Sequence, residues 1–318
     1  MVLVALYTTY IVVLITLSMS LNLIICYVII RKIKAIEIPH LFILSISISD
    51  IVHTVVGLVS EVCVLHKVTS LKNSYVSVGA SFLTYSISVS NIMQIVMISA
   101  IRVVALKRPM FYFENCDKVK YKMASLCCCY FYGILWASFP LLGWSKYEED
   151  LDKKRCSLDW NLTKSNTFSY LMFAFIFCYK LPTTLLIWAL RVKHQTVDEH
   201  RRFRENRPNE QIEILEKAYL KVLLCSAIAY FVVWTPYSVV SLLSIFKVKI
   251  PSIIFTFCAL FAKLSAVLNA LVNCYINKSF QAHLHDLRIF QCFLKGKRIE
   301  HKNISWAEET QVAETGLT

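Results

Sequence analysis

Residues 251–276 read PSIIFTFCALFAKLSAVLNALVNCYI, an apolar run that contains a single charged side chain, Lys263. A helix needs roughly 20 predominantly apolar residues to cross the hydrocarbon core of a membrane. Together with the similar runs that precede it, this stretch predicts seven spans, at about 4–31, 39–66, 74–107, 119–142, 166–194, 214–247 and 251–276. The chain is 57% hydrophobic with a mean hydropathy of +0.55, more apolar than ordinary soluble domains. We therefore expect an all-α membrane protein, a seven-transmembrane-helix bundle.

Basic residues are distributed unequally between the two sides of the predicted bundle. Lysine and arginine are concentrated in the loops after spans 1, 3 and 5 and in the C-terminal tail. Because cytoplasmic loops carry the excess of positive charge, we expect a multi-pass protein of the plasma membrane with its N-terminus outside and its C-terminus in the cytoplasm. The net charge of +13 then follows from topology and membrane contact, and binding to nucleic acid, which needs a basic soluble face, is not expected.

The chain after the last span has two parts. Residues 277–290, NKSFQAHLHDLRIF, alternate apolar and basic side chains, which predicts a short amphipathic helix at the membrane interface. Cys292 follows it and is a palmitoylation candidate. We therefore assign residues 1–290 to the transmembrane domain and the polar residues 291–318 to a cytoplasmic tail that we expect to be disordered.

The loops carry a few further signals. The triplet that begins at Asn161 is a glycosylation sequon in the second outer loop, in agreement with the predicted topology. The third inner loop, around residues 197–217, is rich in both charge signs and is either a solvated loop or a docking surface for a cytoplasmic partner. The 12 cysteines lie mostly in spans and form no CxxC pair, so we expect no metal site.

Ionisable side chains at membrane depth are costly, which makes each a functional candidate; five stand out: Asp50, Glu61, Arg102, Lys180 and Lys263. Asp50 lies in the middle of its span at about the depth of Asn22 and Asn269. This predicts a shared polar network inside the bundle, because buried polar groups need partners. The residues leave open whether that network is structural or a conformational switch.

Lys263 lies about three turns into the last span, roughly 18 Å from its outer end, too deep to reach water easily. An amine buried there is either a nucleophile that forms a Schiff base with a carbonyl ligand or the partner of a carboxylate in a structural role. Lys180 is the less favoured amine, because Pro182 opens the backbone beside it to water or another partner. Glu61 lies near the outer end of span 2, where a wetted helix-end carboxylate is the simplest interpretation.

From residue 22 to residue 280 the chain resembles the opsins, within the rhodopsin-like G-protein-coupled receptors. In span 7, FAKLSAV and the following NKSF are similar to the opsin pattern whose lysine binds retinal, and that lysine corresponds to Lys263. In span 6, VVWTPY resembles the C-W-x-P-Y motif of the family. The resemblance implies a retinal cofactor on Lys263, with Trp234 as the aromatic switch against the retinal ring and Tyr237 in the same pocket.

The second outer loop, GWSKYEEDLDKKRCSLDW, is similar to the opsin loop that covers retinal as a lid, with Cys156 and Asp150 as its cysteine and acid. The short N-terminus, GLVSEV in span 2 and CYFYGILWASFPLLGW in span 4 resemble cnidarian, jellyfish-type opsins. In that group a glutamate of span 2 is the Schiff-base counterion, which corresponds to Glu61. The counterion position of vertebrate visual opsins falls on Ala80. The resemblance thus implies Glu61 as the first counterion candidate and Asp150 as the second.

Several switch residues of the family are replaced. The acid-Arg-Tyr motif reads Ile101-Arg102-Val103. The Asn-Pro-x-x-Tyr motif begins at Asn269 but lacks its proline and its tyrosine. The tyrosine of span 5 is replaced by Leu190, the tryptophan of span 4 by Tyr130 and the cysteine of span 3 by Ser77. Cys156 thus lacks its usual disulfide partner, and Cys63 is the alternative candidate. Retinal binding is therefore better supported than the G-protein coupling in which Arg102, Asp50 and Asn269 would act.

The leading hypothesis is a light-sensing receptor, not an enzyme, that signals through a heterotrimeric G protein of the Gs type. Two alternatives remain open. The replaced inner motifs are compatible with a retinal photoisomerase that signals weakly or not at all. A chemoreceptor without a chromophore, in which Lys263 is a relic, is the third hypothesis.

Overall fold

The computed structural model describes residues 2–33, 38–66, 75–116, 118–150, 155–203, 210–248 and 250–276. Seven long helices lie within them, which confirms the predicted fold class. Four are single segments: α1 Val2–Arg31, α3 Tyr75–Lys107, α4 Val119–Ser138 and α6 Glu210–Ile245. Three are composed of consecutive segments: α2 of Ile38–His53, Thr54–Leu58 and Val59–Leu65, α5 of Thr167–Ala174, Phe175–Lys180 and Leu181–Phe203, and α7 of Ser252–Ala262 and Ser265–Tyr275.

Six of these helices are long and apolar enough to cross a membrane, and α4 is the seventh. The sequence of α4 begins VKYKM, and its lysines and tyrosines lower its hydropathy. Large apolar side chains such as Leu6, Phe131 and Phe257 are mostly exposed on the outside of the bundle. Exposure of this kind suits a surface that lipid covers.

Two helix boundaries differ from the predicted spans for physical reasons. Helix α4 ends at Ser138 rather than near residue 142, because Pro140 has no N–H to donate and disfavours helical backbone before it. Helix α5 continues to Phe203, beyond the predicted end at 194. Four of the nine added residues, Asp198, Glu199, Arg201 and Arg202, are charged, and glutamate and arginine are good helix formers, so the helix can continue beyond the apolar run.

The three segmented helices change their winding next to polar residues. Helix α2 is π-helical over Thr54–Leu58, and α5 is π-helical over Phe175–Lys180, just before Pro182. In α7 the break falls at Lys263, whose amide N–H donates to the carbonyl of Leu260 at 3.2 Å, three residues back. Wide and tight turns inside helices are frequent at functional sites. The sequence offered no glycine or proline at Lys263 to predict this break.

Short polar links join the helices on their inner sides. The Tyr130 hydroxyl of α4 lies 2.7 Å from the hydroxyls of both Ser45 and Ser49 of α2. Ser18 of α1 lies 2.7 Å from the Thr54 hydroxyl of α2. Tyr130, which stands where the family has tryptophan, therefore fastens α4 to α2 by hydrogen bonds.

A short hairpin closes the end of the bundle that is predicted to face outside. Strand β1, Tyr147–Glu149, pairs antiparallel with β2, Cys156–Leu158, so that Glu149 lies opposite Cys156. The hairpin belongs to the predicted lid loop. The predicted interfacial helix at 277–290, Cys292 and the tail 291–318 lie outside the described residues, as does the centre of the third inner loop.

Candidate ligand-binding site

A cavity of about 250 Å³ lies under the hairpin, between α3, α5, α6 and α7. Its volume is near the lower end of the range for ligand pockets. Eight aromatic side chains line it: Tyr85, Tyr147, Trp160, Phe175, Tyr179, Tyr230, Trp234 and Tyr237. Lys263 is the one lysine among the described residues that line it. The cavity therefore offers a single lysine amine on a wall that combines these aromatic rings with serines, Asp150 and Arg155.

Lys263 is placed at the cavity by the break in α7. Its ammonium forms an ion pair with the Glu61 carboxylate of α2, across the bundle. The lysine side chain is 14% exposed and the glutamate side chain 1% exposed. A buried charge needs an opposite charge and hydrogen bonds to offset its desolvation. Both predicted residues are thus brought together at one point of the cavity wall.

Glu61 is bound from three sides. Besides Lys263, the Tyr7 hydroxyl of α1 donates to its Oε1 atom. The guanidinium of Arg155, in the lid loop, donates from Nη1 to the same Oε1 at 2.8 Å. The wetted helix-end carboxylate that the sequence alone suggested is wrong for Glu61, which is 2% exposed.

Arg155 also binds the second predicted acid of the site. Its Nε atom donates to Asp150 Oδ2 at 2.7 Å, and the Asp150 side chain is 0% exposed. The two cations and two carboxylates therefore alternate in contact, in the order Lys263, Glu61, Arg155, Asp150. Asp150 contacts the lysine only through Arg155 and Glu61 in this chain of contacts.

The aromatic residues predicted from span 6 lie in the cavity wall. The rings of Trp234 and Tyr237 meet edge to face with their centroids 6.5 Å apart. The Tyr237 ring in turn contacts Trp160 of the lid loop at 6.0 Å and Phe255 of α7 at 5.7 Å. Helix α6 is thereby in contact with both the lid and the cavity.

The lid is held to the bundle without a disulfide in this structure. Cys156 and Cys63 are both free thiols, so the bond considered between them is not formed. Instead the Ser81 hydroxyl of α3 donates to the carbonyl of Cys156 at 2.8 Å. The Tyr147 hydroxyl of β1 donates to the carbonyl of Ala137 in α4 at 2.8 Å.

The predicted polar network around Asp50 lies below the cavity and is partly different from expectation. Asn269 donates to Asp50 Oδ2 at 3.5 Å, whereas Asn22 donates to the carbonyl of Ala266 at 3.2 Å. Asn91 of α3, not predicted, donates to Asp50 Oδ1 at 2.9 Å. Asp50 thus joins α2 to α3 and α7, and Asn22 joins α1 to α7 separately.

The remaining predicted residues lie away from the cavity. Lys180 is exposed on α5 and is not among the residues that line the cavity. Arg102 lies near the inner end of α3, half-buried. Asn161 is exposed in the segment after β2, where a glycosylating enzyme could reach it.

Sequence reasoning missed Arg155, Tyr7 and Asn91. Arg155 is one of several charged residues of its loop, and its place next to Cys156 in the lid is the signal that could have marked it. Tyr7 lies in an apolar span where a tyrosine resembles an interfacial anchor. Asn91, one of several polar residues along α3, carries no charge that would mark it out.

The chain is similar to several known proteins. The chain is similar to human visual pigment-like receptor peropsin, at 26% identity over 50% of this chain and 48% of the relative. It is similar to mouse opsin-3, at 24% identity over 79% of this chain and 63% of the relative. The matched stretches thus span less than two thirds of these relatives.

The crystal structure of squid rhodopsin superposes with a TM-score of 0.82, at 18% identity, over 93% of this chain and 89% of that one. This likeness concerns the fold. The sequence profile described as "7 transmembrane receptor (rhodopsin family)" matches residues 21–272, which include the whole bundle from α2 to α6 and nearly all of α7. On the strength of that match, the chain belongs to the rhodopsin family of seven-transmembrane receptors.

Proposed function

We propose that the chain is a light-sensing receptor that holds retinal on Lys263, with Glu61 as the counterion. The observation that carries the proposal is the cavity-lining lysine paired with a buried carboxylate. The names of the similar proteins, which include peropsin, opsin-3 and an ant rhodopsin at 29% identity over 49% of this chain and 44% of the relative, support it.

The chemistry of the cavity suits retinal. An aldehyde needs an amine for covalent attachment, and Lys263 supplies one at the wall. A conjugated polyene is apolar, and the aromatic lining from α3, α5 and α6 can pack against it. A charged nitrogen in this surrounding needs an adjacent anion, and Glu61 already occupies that place.

The residues of the site would then divide the work. Retinal, when bound covalently, supplies the absorption of visible light. Glu61 holds a proton at the Lys263 nitrogen, and Tyr7 and Arg155 hold Glu61 in place. Trp234 and Tyr237 would transmit a change of ligand shape to α6, because both belong to that helix. A shift of α6 would change the population of the conformation whose cytoplasmic face binds a G protein.

The orientation and partner belong to the same proposal. The loop charges support a plasma-membrane protein with its N-terminus outside and its C-terminus in the cytoplasm. The resemblance to jellyfish-type opsins supports a G protein of the Gs type. Asp50 and Asn269, which are hydrogen-bonded below the cavity, would be part of the connection between cavity and inner face.

The direct test is a spectrum of the expressed protein with 11-cis-retinal. We expect an absorption band in the visible that is absent from Lys263→Ala. Lys180→Ala is the matched control, because it removes an exposed lysine outside the cavity, and it should keep the band. Glu61→Gln should move the band or remove it from the visible. A wild-type protein without any pigment, or a Lys263→Ala protein with one, contradicts the proposal.

A retinal photoisomerase is the second candidate. Ile101, which replaces the acid before Arg102, packs against the apolar cluster that contains Phe42 and Leu126, so no carboxylate stands at that position. A light-dependent cyclic AMP assay separates the two functions. A response to light in cells that express the chain supports the receptor, and a good pigment with no response supports the isomerase.

A further inference from the structure

We propose that Arg155 is a positioning residue that competes with Lys263 for the carboxylate of Glu61. Because Arg155 belongs to the lid, it couples closure of the lid to the absorption maximum of the pigment. This inference rests on the proposed function. It concerns a residue of the lid loop that contacts the proposed counterion.

The first observation is the geometry of the guanidinium. Two different nitrogens of Arg155 bind two different carboxylates, Nη1 to Glu61 at 2.8 Å and Nε to Asp150 at 2.7 Å. Glu61 belongs to α2, whereas Asp150 follows β1 in the lid loop. A guanidinium presents several donors in a fixed plane, which a lysine cannot imitate. Arg155 therefore fastens the lid hairpin to α2 at the counterion.

The second observation is burial. The side chain of Arg155 is 14% exposed, that of Glu61 1% and that of Asp150 0%. Water screens these charges little, so each strongly affects its neighbours. Three described groups from three different elements bind Glu61: Tyr7 from α1, Lys263 from α7 and Arg155 from the lid.

The effect on Lys263 follows from sharing. Arg155 and Lys263 bind the same carboxylate, so a cation at Oε1 weakens the field that Glu61 exerts at the lysine nitrogen. An anion near that nitrogen favours the state in which positive charge resides there. A stronger anion thus shifts absorption to shorter wavelength, and a weaker one shifts it to longer wavelength.

Two variants should therefore shift the absorption maximum in opposite directions. Arg155→Gln releases Glu61 to Lys263, so we expect a shift to shorter wavelength. Asp150→Asn removes the competing carboxylate from Arg155, so we expect a shift to longer wavelength. Lys146→Gln is the matched control and should leave the maximum unchanged. Lys146 is a lid-loop cation whose side chain is 43% exposed, and it pairs with Glu148 rather than with Glu61.

A second measurement uses the protein without retinal. Burial raises the pKa of the Cys156 thiol, so a maleimide should label it slowly while the lid is closed. Loss of Arg155 removes its charge-assisted hydrogen bond from the lid to Glu61 of α2, and one such bond contributes enough to change an opening equilibrium about tenfold. Labelling of Cys156, followed by mass spectrometry of its peptide, should be about tenfold faster in Arg155→Gln and unchanged in Lys146→Gln.

The outcomes separate this inference from the proposed function. Shifts of the same sign in Arg155→Gln and Asp150→Asn, or no shift in either, overturn the proposed sharing of Glu61 even where the wild-type pigment forms. Wild-type labelling kinetics in Arg155→Gln overturn the coupling to the lid. Absence of a wild-type pigment contradicts retinal binding, and the labelling experiment still decides whether Arg155 closes the lid.

Discussion

Glu61 shows how several partners can stabilise one buried carboxylate inside a membrane-spanning bundle. It accepts from Lys263, Arg155 and Tyr7, and these donors come from α7, the lid loop and α1. A carboxylate with that many partners is stable where a lone one would be costly. The same arrangement makes the site sensitive, because the loss of one partner leaves the others with uncompensated charge.

We expect Glu61→Gln to destabilise the ligand-free protein by about 3–5 kcal/mol, the usual cost of removing one partner from a buried ion pair. The reason is that Lys263 and Arg155 would lose their shared anion. Thermal unfolding in detergent measures the change. Lys146→Gln is the control, since it breaks a pair with Glu148 in which the lysine side chain is 43% exposed, and it should cost less than about 1 kcal/mol. Equal losses in both variants would contradict the buried pairing.

Asp159 is the second residue with a strong prediction. It is fully buried after β2 and accepts from the backbone N–H groups of Thr163 and Lys164 and from the hydroxyls of Thr163 and Thr167, at 2.9–3.2 Å. Burial alone would raise the pKa of Asp159, but hydrogen bonds, with Glu148 and from these donors, bring it below its ordinary value of 3.8. Its ionised form is therefore favoured by folding.

The sign of the pH dependence follows. A group with a lowered pKa in the folded state stabilises the protein above its unfolded pKa, and this contribution is lost as pH falls through the folded value. We expect melting temperature to fall as the pH drops from about 5 to below 3.8, and Asp159→Asn to lack that component. At neutral pH the variant should be less stable by about 1–3 kcal/mol. A wild-type curve parallel to that of the variant would disprove this role.

At the scale of elements, the turn after α4 depends on backbone conformation. Gly143 has a φ of 101°, a left-handed value, and its carbonyl accepts from Asn166 at 2.9 Å. Any side chain there is strained, whereas an alanine at Gly79 in α3 would meet no atom within 4 Å. The two glycines are thus a matched pair.

We expect Gly143→Ala to lower the free energy of unfolding by about 1–2 kcal/mol, because a left-handed conformation is costly for a residue with a Cβ atom. Gly79→Ala should be neutral or stabilising by up to about 1 kcal/mol, since alanine favours a helix. Thermal melting of the two variants side by side provides the comparison. A loss in Gly79→Ala that matches the loss in Gly143→Ala would refute the argument.

The elements were predictable to different degrees. The spans follow from apolar length and Lys263 from charge at depth, because both signals are local in sequence, whereas the counterion role of Glu61 was expected only from the resemblance to jellyfish-type opsins. The break of α7 at Lys263 and the role of Arg155 were not predictable in this way. Each depends on contacts between residues far apart in the chain, such as Arg155 with Glu61. The end of α4 at Ser138 could have been predicted from Pro140, but the apolar run continues past this proline and predicted a longer helix.

At the scale of the whole molecule, the distribution of basic residues predicts the orientation in the membrane, and three glycosylation sequons can test this prediction. Asn161 lies on the side predicted to be outside, whereas Asn277 and Asn303 begin further sequons on the side predicted to be cytoplasmic. In glycosylating cells we expect one glycan, removed by Asn161→Gln and unaffected by Asn277→Gln or Asn303→Gln. Gel mobility before and after glycosidase treatment reports it. A glycan on Asn277 or Asn303 would show that the orientation is the reverse of the predicted one.

The attachment of the lid through Ser81 has a consequence for handling of the protein. The bond from its hydroxyl to the Cys156 carbonyl involves no sulfur, and both Cys156 and Cys63 are free thiols. The lid should therefore close equally well in reducing and oxidising surroundings. Dithiothreitol added during purification should leave the spectrum and the melting temperature of the protein unchanged.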